Sequence, residues 1–317
     1  MAEGAPRIRF RHRAEYVALA FAGAIVRWAP HRVSLALAWG VAAVMHGLFG
    51  FRRKEARRRL RAVLGPETRE RVVRRAAWRS FRNLCFNAVD TLRAPRLTPR
   101  WFREHVLLAG RVEWLEQCRA SGRGLILAAS HSGNWELCAL GLQRMGYPLF
   151  LLARRQKNPL TDDYLNRMRA SAGAPALMND DPGLLRQTIR RLRAGEVLAL
   201  LPDVRARTPA HAIPFFGGIA NLGAGPALLA RQSGARLITV EIERLGWTRH
   251  RLTFGDAVEP DPETDRDADA RRVMTEIMAR LEGHIRARPD QYFWYNRRWV
   301  LDPLTPAESP AASDAPP

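Results

Sequence analysis

The sequence is poor in lysine and in cysteine. Lys54 and Lys157 are the only lysines among 51 Lys and Arg residues, so arginine carries nearly all of the positive charge. The three cysteines, Cys85, Cys118 and Cys138, are odd in number and lack the spacing of a metal site. These features argue against a disulfide scaffold and against a structural zinc site. We therefore expect three free thiols, as in a reducing compartment, and no bound metal.

Several motifs that would assign a chemistry are also missing. Neither a GxxxxGK(S/T) loop nor a GxGxxG pattern occurs, so nothing in the sequence supports nucleotide binding. A zinc-protease helix would need HExxH, which is absent. Ser132 lacks the first glycine of a GxSxG nucleophile elbow, because Ser130 occupies that position. These absences disfavour a nucleotide-dependent enzyme, a zinc protease and a serine hydrolase.

The formal net charge of +20 narrows the class of partner. Arginine forks bind phosphates and carboxylates bidentately, so the excess suits nucleic acid, an anionic lipid surface or an acidic protein. A codon bias toward arginine is an alternative source for many of these residues. No nucleic-acid-binding motif is present, and the arginines are not interleaved with aromatic residues on a strand platform. We therefore expect no nucleic-acid partner.

The N-terminal region is the most apolar part of the chain. Tyr16–Val26 and Val33–Phe51 are apolar runs, and the basic cluster Arg52-Arg53-Lys54 follows the second run. About 20 apolar residues can cross a bilayer, and the basic cluster would then stay on the cytoplasmic side. The alternatives are a signal-peptide core over Tyr16–Val26, or two helices that lie on the membrane or cap the domain core. We interpret residues 1–54 as a membrane-attachment segment, with spanning and surface-lying helices both open.

After residue 54, helical patterns alternate with apolar runs of strand length. A helix is predicted over 68–93, with an apolar face that includes Trp78, Phe81 and Val89. The strand candidates are Leu125–Ser130, Leu149–Ala153, Val197–Leu201, Leu237–Ile242 and Leu252–Val258. The alternation predicts an α/β fold with a mostly parallel mixed sheet flanked by helices. We assign residues 55–301 to this domain and expect the tail, 302–317, to be disordered, because it is rich in Pro, Ala and Ser.

The segment Ser130–Glu136 is the most informative part of the sequence. His131 follows an apolar strand, at the end where open α/β sheets place their ligands. Asn134 is of the type preferred at a helix N-cap, and Glu136 would lie in the first helical turn. A carboxylate on one imidazole nitrogen fixes the tautomer and leaves the other nitrogen to act as a general base. We predict that Glu136 plays this part for His131; the alternative is that His131 is a polar residue without a catalytic role.

The same block resembles a known family. His131–Glu136 is similar to the H-x4-D/E motif of the lysophospholipid acyltransferases, and in its HxGNWE form to that of the bacterial lipid A biosynthesis acyltransferases. Other blocks of that family have counterparts in the same order over residues 10–302. They are Arg154 with Asn158-Pro159, Arg169, Leu201-Pro202-Asp203, Ile213–Gly217 and Gln291–Trp299.

This resemblance implies transfer of a fatty acyl chain from an acyl carrier protein thioester to a hydroxyl of a lipid A precursor. It implies that His131 deprotonates the hydroxyl, that Glu136 orients His131, and that no acyl-enzyme, cofactor or metal takes part. Supporting or substrate-binding roles are implied for Asn134, Arg154, Arg169, Asp203, Arg297 and Arg298. Asp203 is also expected at the rim near His131 from its place at a strand end. The expected location is the inner membrane, with the site facing the cytoplasm and an anionic glycolipid as acceptor.

Two departures from the family pattern concern the acceptor. Asn296 replaces the usual His before the Arg297-Arg298 pair, and Ala220–Gly223 replaces a Thr-rich block. The alternative function is therefore an acyltransferase that uses acyl-CoA or acyl carrier protein and acylates another glycolipid or a lysophospholipid. A related actinobacterial group, which acylates phosphatidylinositol mannosides, carries an HSGNW block with Asp where this chain has Glu136.

Overall fold

The computed structural model describes residues 8–171, 173 and 175–302 of the chain. Within this part, the helices are α1 (Phe10–Trp28), α2 (His31–Ala43), α3 (Arg53–Leu64), α4 (Glu70–Arg93), α5 (Pro99–His105), α6 (Glu113–Ser121), α7 (Trp135–Arg144), α8 (Pro159–Ser171), α9 (Leu184–Arg193), α10 (Gly225–Ser233) and α11 (Arg266–Ala287). The strands are β1 (Val106–Gly110), β2 (Leu125–Ala129), β3 (Leu149–Ala153), β4 (Ala176–Met178), β5 (Val197–Leu200), β6 (His211–Phe215), β7 (Gly218–Leu222), β8 (Arg236–Arg244) and β9 (His250–Ala257).

Seven strands form one sheet in the order β1-β9-β8-β2-β5-β3-β4, and β6 and β7 form a separate hairpin. Only the β8–β9 pair of the large sheet is antiparallel. The other neighbouring pairs, β1–β9, β2–β8, β2–β5, β3–β5 and β3–β4, are parallel. The predicted mostly parallel mixed sheet is therefore confirmed.

Helices cover both faces of the sheet, which explains why the central strand β2 is apolar throughout. All five β2 residues are buried, as is typical of a parallel strand covered on two sides. Ile126 and Ala128 pack toward α3, α4, α9, α10 and α11. Leu127 and Ala129 point the other way, toward α5, α6 and α7, because successive side chains of a strand alternate between faces.

The N-terminal helices pack on α4 and α8 through a third apolar cluster that includes Leu35, Phe86, Val89 and Met168. Among the described residues, no single helix is long and apolar enough to cross a bilayer. By length and composition, His31–Leu48 could cross a bilayer only together with Arg53–Leu64, and the structure bends these two segments by 87°. Membrane attachment and the division at residue 54 both stay predictions.

The long apolar runs of the sequence predict the central strands, and the shorter elements have no comparable signal in the sequence. The five predicted strands are β2, β3, β5, β8 and β9, with ends shifted by up to two residues. The short strands β1 and β4, helix α5 and the β6–β7 hairpin were not predicted. The described cysteines form no disulfide, as expected from the sequence. Apart from Asp302, the predicted tail 302–317 lies outside the described residues.

Candidate active site

A cavity of about 620 Å³ lies beside the block that the sequence singled out. Its polar end carries His131, Glu136, Arg154 and Arg169. Away from this end the lining is mostly apolar and comes from the sheet and from α7. Representative apolar lining residues are Leu127, Ala139, Leu142, Leu151, Val240 and Leu252. The cavity lining therefore combines titratable groups with an apolar surface suited to a hydrocarbon chain.

Strand order brings His131 and Asp203 together. His131 follows β2 and Asp203 follows β5, and these strands are parallel neighbours, so both loops leave the sheet at one edge. The Asp203 carboxylate contacts the His131 ring at Nδ1, with 2.7 Å between Nδ1 and Oδ1. Its other oxygen accepts a hydrogen bond from the His131 backbone N–H at 2.9 Å. A carboxylate only accepts, so Nδ1 carries a proton, and in the neutral imidazole Nε2 is the nitrogen with the free lone pair.

Asp203 has a second side-chain partner, Tyr292. Its side chain is fully buried, and the Tyr292 hydroxyl donates a hydrogen bond to it. Burial, with the Asp203 charge as the second cause, raises the pKa of Tyr292 well above its ordinary value. Tyr292 therefore stays protonated and remains a donor. The sequence does not identify Tyr292 as a partner of Asp203. The block Gln291–Trp299 resembles a family motif, but its residue types and spacing do not indicate a catalytic role.

The C-terminal block reaches the site by pairing with the histidine loop. Ser132 and Tyr292 form an antiparallel bridge. On either side of it, Phe293 N–H donates to the His131 carbonyl at 2.8 Å, and Gly133 N–H donates to the Gln291 carbonyl at 3.1 Å. The backbone of the loop is thus fixed by two hydrogen bonds from a segment more than 150 residues away in the sequence.

The residues after His131 have specific conformational tasks. Gly133 has φ +58°, and a Cβ at this position would lie 2.5 Å from the carbonyl oxygen of Ile242, so only glycine fits. Asn134 is the N-cap of α7, as predicted, since its side-chain oxygen accepts from Leu137 N–H at 3.0 Å. Asn134 is buried and is not among the described residues that line the cavity.

The expectation that Glu136 contacts and orients the His131 ring is wrong for this structure, because Asp203 occupies Nδ1. Glu136 instead forms a two-point ion pair with Arg169 of α8, with Nε–Oε1 at 2.5 Å and Nη2–Oε2 at 3.3 Å. The cause is topological: the loop after the neighbouring strand β5 reaches His131, while the first turn of α7 faces α8. Both members of the pair line the cavity, and their roles in the site stay predictions.

The other predicted arginines divide into two groups. Arg154 is exposed and lines the cavity at the end of β3. Arg297 and Arg298 are exposed too, but neither belongs to the described lining of the cavity. Asn158, in the same block as Arg154, donates to the His12 carbonyl and to the Glu15 carboxylate, each at 2.9 Å, and so ties α1 to the domain.

Comparison with known proteins gives the family of the chain. The family model described as bacterial lipid A biosynthesis acyltransferase matches residues 2–300. The chain belongs to this family. Family membership groups it with the bacterial lipid acyltransferases.

Curated relatives of this chain are named phosphatidylinositol mannoside acyltransferases. The one from Mycolicibacterium smegmatis is 26% identical over 186 residues, which are 57% of this chain and 59% of that protein. The one from Mycobacterium tuberculosis is 25% identical over 219 residues, which are 67% of this chain and 66% of that protein. The chain thus spans about 59–66% of the length of these relatives.

Among solved structures, the 1-acyl-sn-glycerophosphate acyltransferase of Thermotoga maritima is similar at 14% identity and a TM-score of 0.37. The match covers 87% of this chain and 98% of that one. Nothing about the site of this acyltransferase follows from so weak a likeness.

The Glu136–Arg169 pair yields a first prediction. We expect Glu136→Gln and Arg169→Gln each to lower kcat/KM for acyl transfer by about 10²-fold, because each leaves a partly buried charged partner unpaired and displaced within the cavity. If the two act as a unit, the double variant should lose little more than either single variant. Steady-state kinetics on the four proteins measures the coupling. Losses that multiply in the double variant would show that the two residues act independently.

Proposed function

We propose that this acyltransferase moves a fatty acyl chain from an acyl carrier protein thioester to a hydroxyl of a lipid A precursor. The observation that carries the proposal is the His131–Asp203 pair at the polar end of an apolar cavity. Such a pair supplies a general base for a hydroxyl, and the cavity supplies a place for the hydrocarbon chain beside it.

The proposed reaction is a direct transfer. The acceptor hydroxyl gives its proton to His131 Nε2 as its oxygen attacks the thioester carbonyl. Collapse of the tetrahedral intermediate breaks the carbon–sulfur bond, and the proton passes from His131 to the leaving thiolate. Asp203 stabilises the imidazolium that exists between the two steps, as the buried carboxylate does in serine hydrolases. Cys138 lines the cavity, but burial raises the pKa of its thiol, so it is unsuited to act as a thiolate nucleophile.

The polar end of the cavity has groups for the head of the substrates. Arg154 presents an exposed guanidinium in the cavity lining, where a sugar phosphate of the acceptor or the phosphate of a carrier's prosthetic group would bind it bidentately. Arg169 is held in place by Glu136, so its remaining N–H groups are oriented before substrate arrives. We assign Arg154 to substrate binding and the Glu136–Arg169 pair to shaping this end of the cavity.

We further propose that α1 and α2 lie on the cytoplasmic face of the inner membrane. On α1, Phe10, Val17, Phe21 and Trp28 are spaced at helical intervals and are 61–87% exposed. A second exposed row on α2 and the turn after it comprises Val33, Leu37, Val41, Val44 and Leu48. Exposed apolar rows on two adjacent helices, flanked by arginines, are typical of segments that insert into the interface of an anionic bilayer.

A vesicle experiment tests the membrane proposal. Each apolar side chain withdrawn from water is worth about 1.5–3 kcal/mol, so Phe21→Glu with Leu37→Glu should weaken binding to phosphatidylglycerol vesicles by about 10²-fold or more. Sedimentation with vesicles measures the bound fraction. Leu185→Glu is the matched control, because Leu185 is 55% exposed on α9, away from these helices. Equal binding by the double variant and the control would contradict membrane docking through α1 and α2.

The second candidate function is acylation of a phosphatidylinositol mannoside with acyl-CoA. Its specific support is that the curated relatives reported above are named phosphatidylinositol mannoside acyltransferases, a name that gives the acceptor and leaves the donor open. The two candidates share the catalytic step and differ in the donor and the acceptor. A variant of His131 would abolish both activities, so only an assay that compares substrates can distinguish the two candidates.

The test is an assay of the purified full chain with two donors and two acceptors. The donors are dodecanoyl-acyl carrier protein and dodecanoyl-CoA, and the acceptors are a lipid A precursor and phosphatidylinositol dimannoside in detergent micelles. The proposal predicts acylation of the lipid A precursor from the carrier protein above all other combinations. Preferred acylation of the mannoside would replace it with the second candidate, and no acylation in any combination would contradict both.

A further inference from the structure

The helix α4 carries a row of polar side chains on a buried face. Ser80, Asn83, Asn87 and Asp90 follow one another at spacings of three, four and three residues, which places them along one side of the helix. Each is at least 91% buried. A buried polar side chain lowers the free energy of unfolding relative to an apolar one unless it finds a hydrogen-bond partner. The partners of these four side chains therefore indicate what the row does. We call these four residues the polar row of α4.

The C-terminal half of the row holds the histidine loop. Asn87 donates its amide hydrogen to the carbonyl of Gly133, the residue that needs the left-handed conformation. Asp90 accepts from the side-chain amide of Asn134 at 3.3 Å. The carbonyl of Gly133 and the side chain of Asn134, two and three residues after His131, are therefore anchored to α4.

The N-terminal half of the row holds the segment that carries Tyr292. The Ser80 hydroxyl donates to the carbonyl of Tyr292, and the Asn83 amide donates to the carbonyl of Asp290 at 3.1 Å. Tyr292 is the residue whose hydroxyl binds Asp203, the partner of His131. One helix face thus contacts both strands of the bridge that supports the catalytic histidine.

A buried ion cluster fixes the row itself. Arg244, at the end of β8, donates to the Asn87 side-chain oxygen at 2.7 Å and also to Asp90. His31, the first residue of α2, contacts Asp90 with 2.7 Å between Nε2 and Oδ1. Burial alone would raise the pKa of Asp90, but Arg244 and the hydrogen bond from His31 lower it to about 2. Asp90 is therefore a permanent anion that can hold several donors.

We propose that the polar row of α4 is a positioning device for the catalytic histidine: Asn87 and Asp90 set the loop after His131, and Ser80 and Asn83 set the segment that carries Tyr292. This inference rests on the proposed role of His131 as general base. A general base must lie within hydrogen-bond reach of its hydroxyl, and a displacement of about 1 Å can cost about 10²-fold in rate. The row acts on kcat through geometry and does not touch substrate.

The test substitutions are Asn87→Leu, which removes the donor to Gly133, and Asn134→Ser, which keeps an N-cap oxygen but removes the donor to Asp90. We expect kcat in the assay described above to fall by about 10- to 10²-fold, with little change in KM for the acyl donor. We also expect faster hydrogen exchange at the Gly133 and Phe293 amides, which form the hydrogen bonds on either side of the bridge.

The matched control is Thr188→Val on α9. Thr188 is equally buried and hydrogen-bonds only the Leu184 carbonyl of its own helix, so its loss should lower Tm without changing kcat. Unchanged kcat in Asn87→Leu and Asn134→Ser, at a Tm loss like that of Thr188→Val, would overturn the inference. If Asn87→Leu does not fold, Asn134→Ser alone decides. His131→Ala is measured in parallel: if it remains active, the proposed function fails first, whatever the two row variants do.

Discussion

His131→Ala is expected to lower kcat/KM for acyl transfer by about 10³–10⁴-fold, the upper part of the range for loss of a general base. His131 is the only histidine among the described residues that line the cavity, and the Asp203 carboxylate at Nδ1 fixes its tautomer. The side chain is 20% exposed and outside the apolar clusters, so the free energy of unfolding should change little. Steady-state kinetics, with thermal unfolding followed by circular dichroism, measures both quantities.

The control for this variant is His211→Ala, which removes a histidine from strand β6. It should retain wild-type activity, because His211 is not among the described residues that line the cavity. Full activity in His131→Ala, with a normal unfolding transition, would exclude His131 as the general base.

Asp203→Asn is expected to have the second largest effect, a loss of about 10²–10⁴-fold in kcat. The Asp203 carboxylate accepts from the His131 ring, from the His131 backbone and from Tyr292. Asparagine has one acceptor oxygen for these three donors, and its amide would favour the tautomer with the proton on Nε2, which cannot act as a base. KM should change less than kcat, since Asp203 contacts the histidine and not the substrate.

Glu136→Gln is the informative comparison for Asp203→Asn. The geometry predicts the larger loss for Asp203→Asn, because this carboxylate is the one that contacts the imidazole. Wild-type activity in Asp203→Asn, together with an inactive Glu136→Gln, would restore the assignment of Glu136 as the orienting residue and contradict the structure-based one.

The site could be predicted from sequence where the signal is local. The apolar run that forms β2 and the small residues after it place His131 at a strand end, and Asn134 caps the next helix as its side chain suggests. The partner of His131 is decided by the order of strands, because β5 pairs with β2. The sequence offers two carboxylates as partners for His131: Glu136, five residues away, and Asp203, 72 residues away. The spacing of residues along the chain does not show which of the two carboxylates contacts the imidazole.

The polar row of α4 shows a second limit of sequence patterns. The apolar face of this helix was visible from the spacing of Trp78, Phe81 and Val89. A polar face with the same period ordinarily indicates the solvent side of a helix. Only the tertiary structure shows that Asn87 and Asp90 are covered by the histidine loop and by Arg244. Arg297 and Arg298 illustrate the converse, since their motif suggested a site role and they lie outside the described cavity lining.

The most direct test of the proposed function is mass spectrometry of lipids from cells that lack the protein and regain it. Cells that regain the wild-type chain are predicted to show lipid A heavier by one fatty acyl chain, and cells that receive His131→Ala are predicted to resemble the cells that lack the protein. A gain of one acyl chain on phospholipids or phosphatidylinositol mannosides alone, with lipid A unchanged, would contradict the lipid A assignment. A gain on lipid A with His131→Ala would contradict the catalytic one.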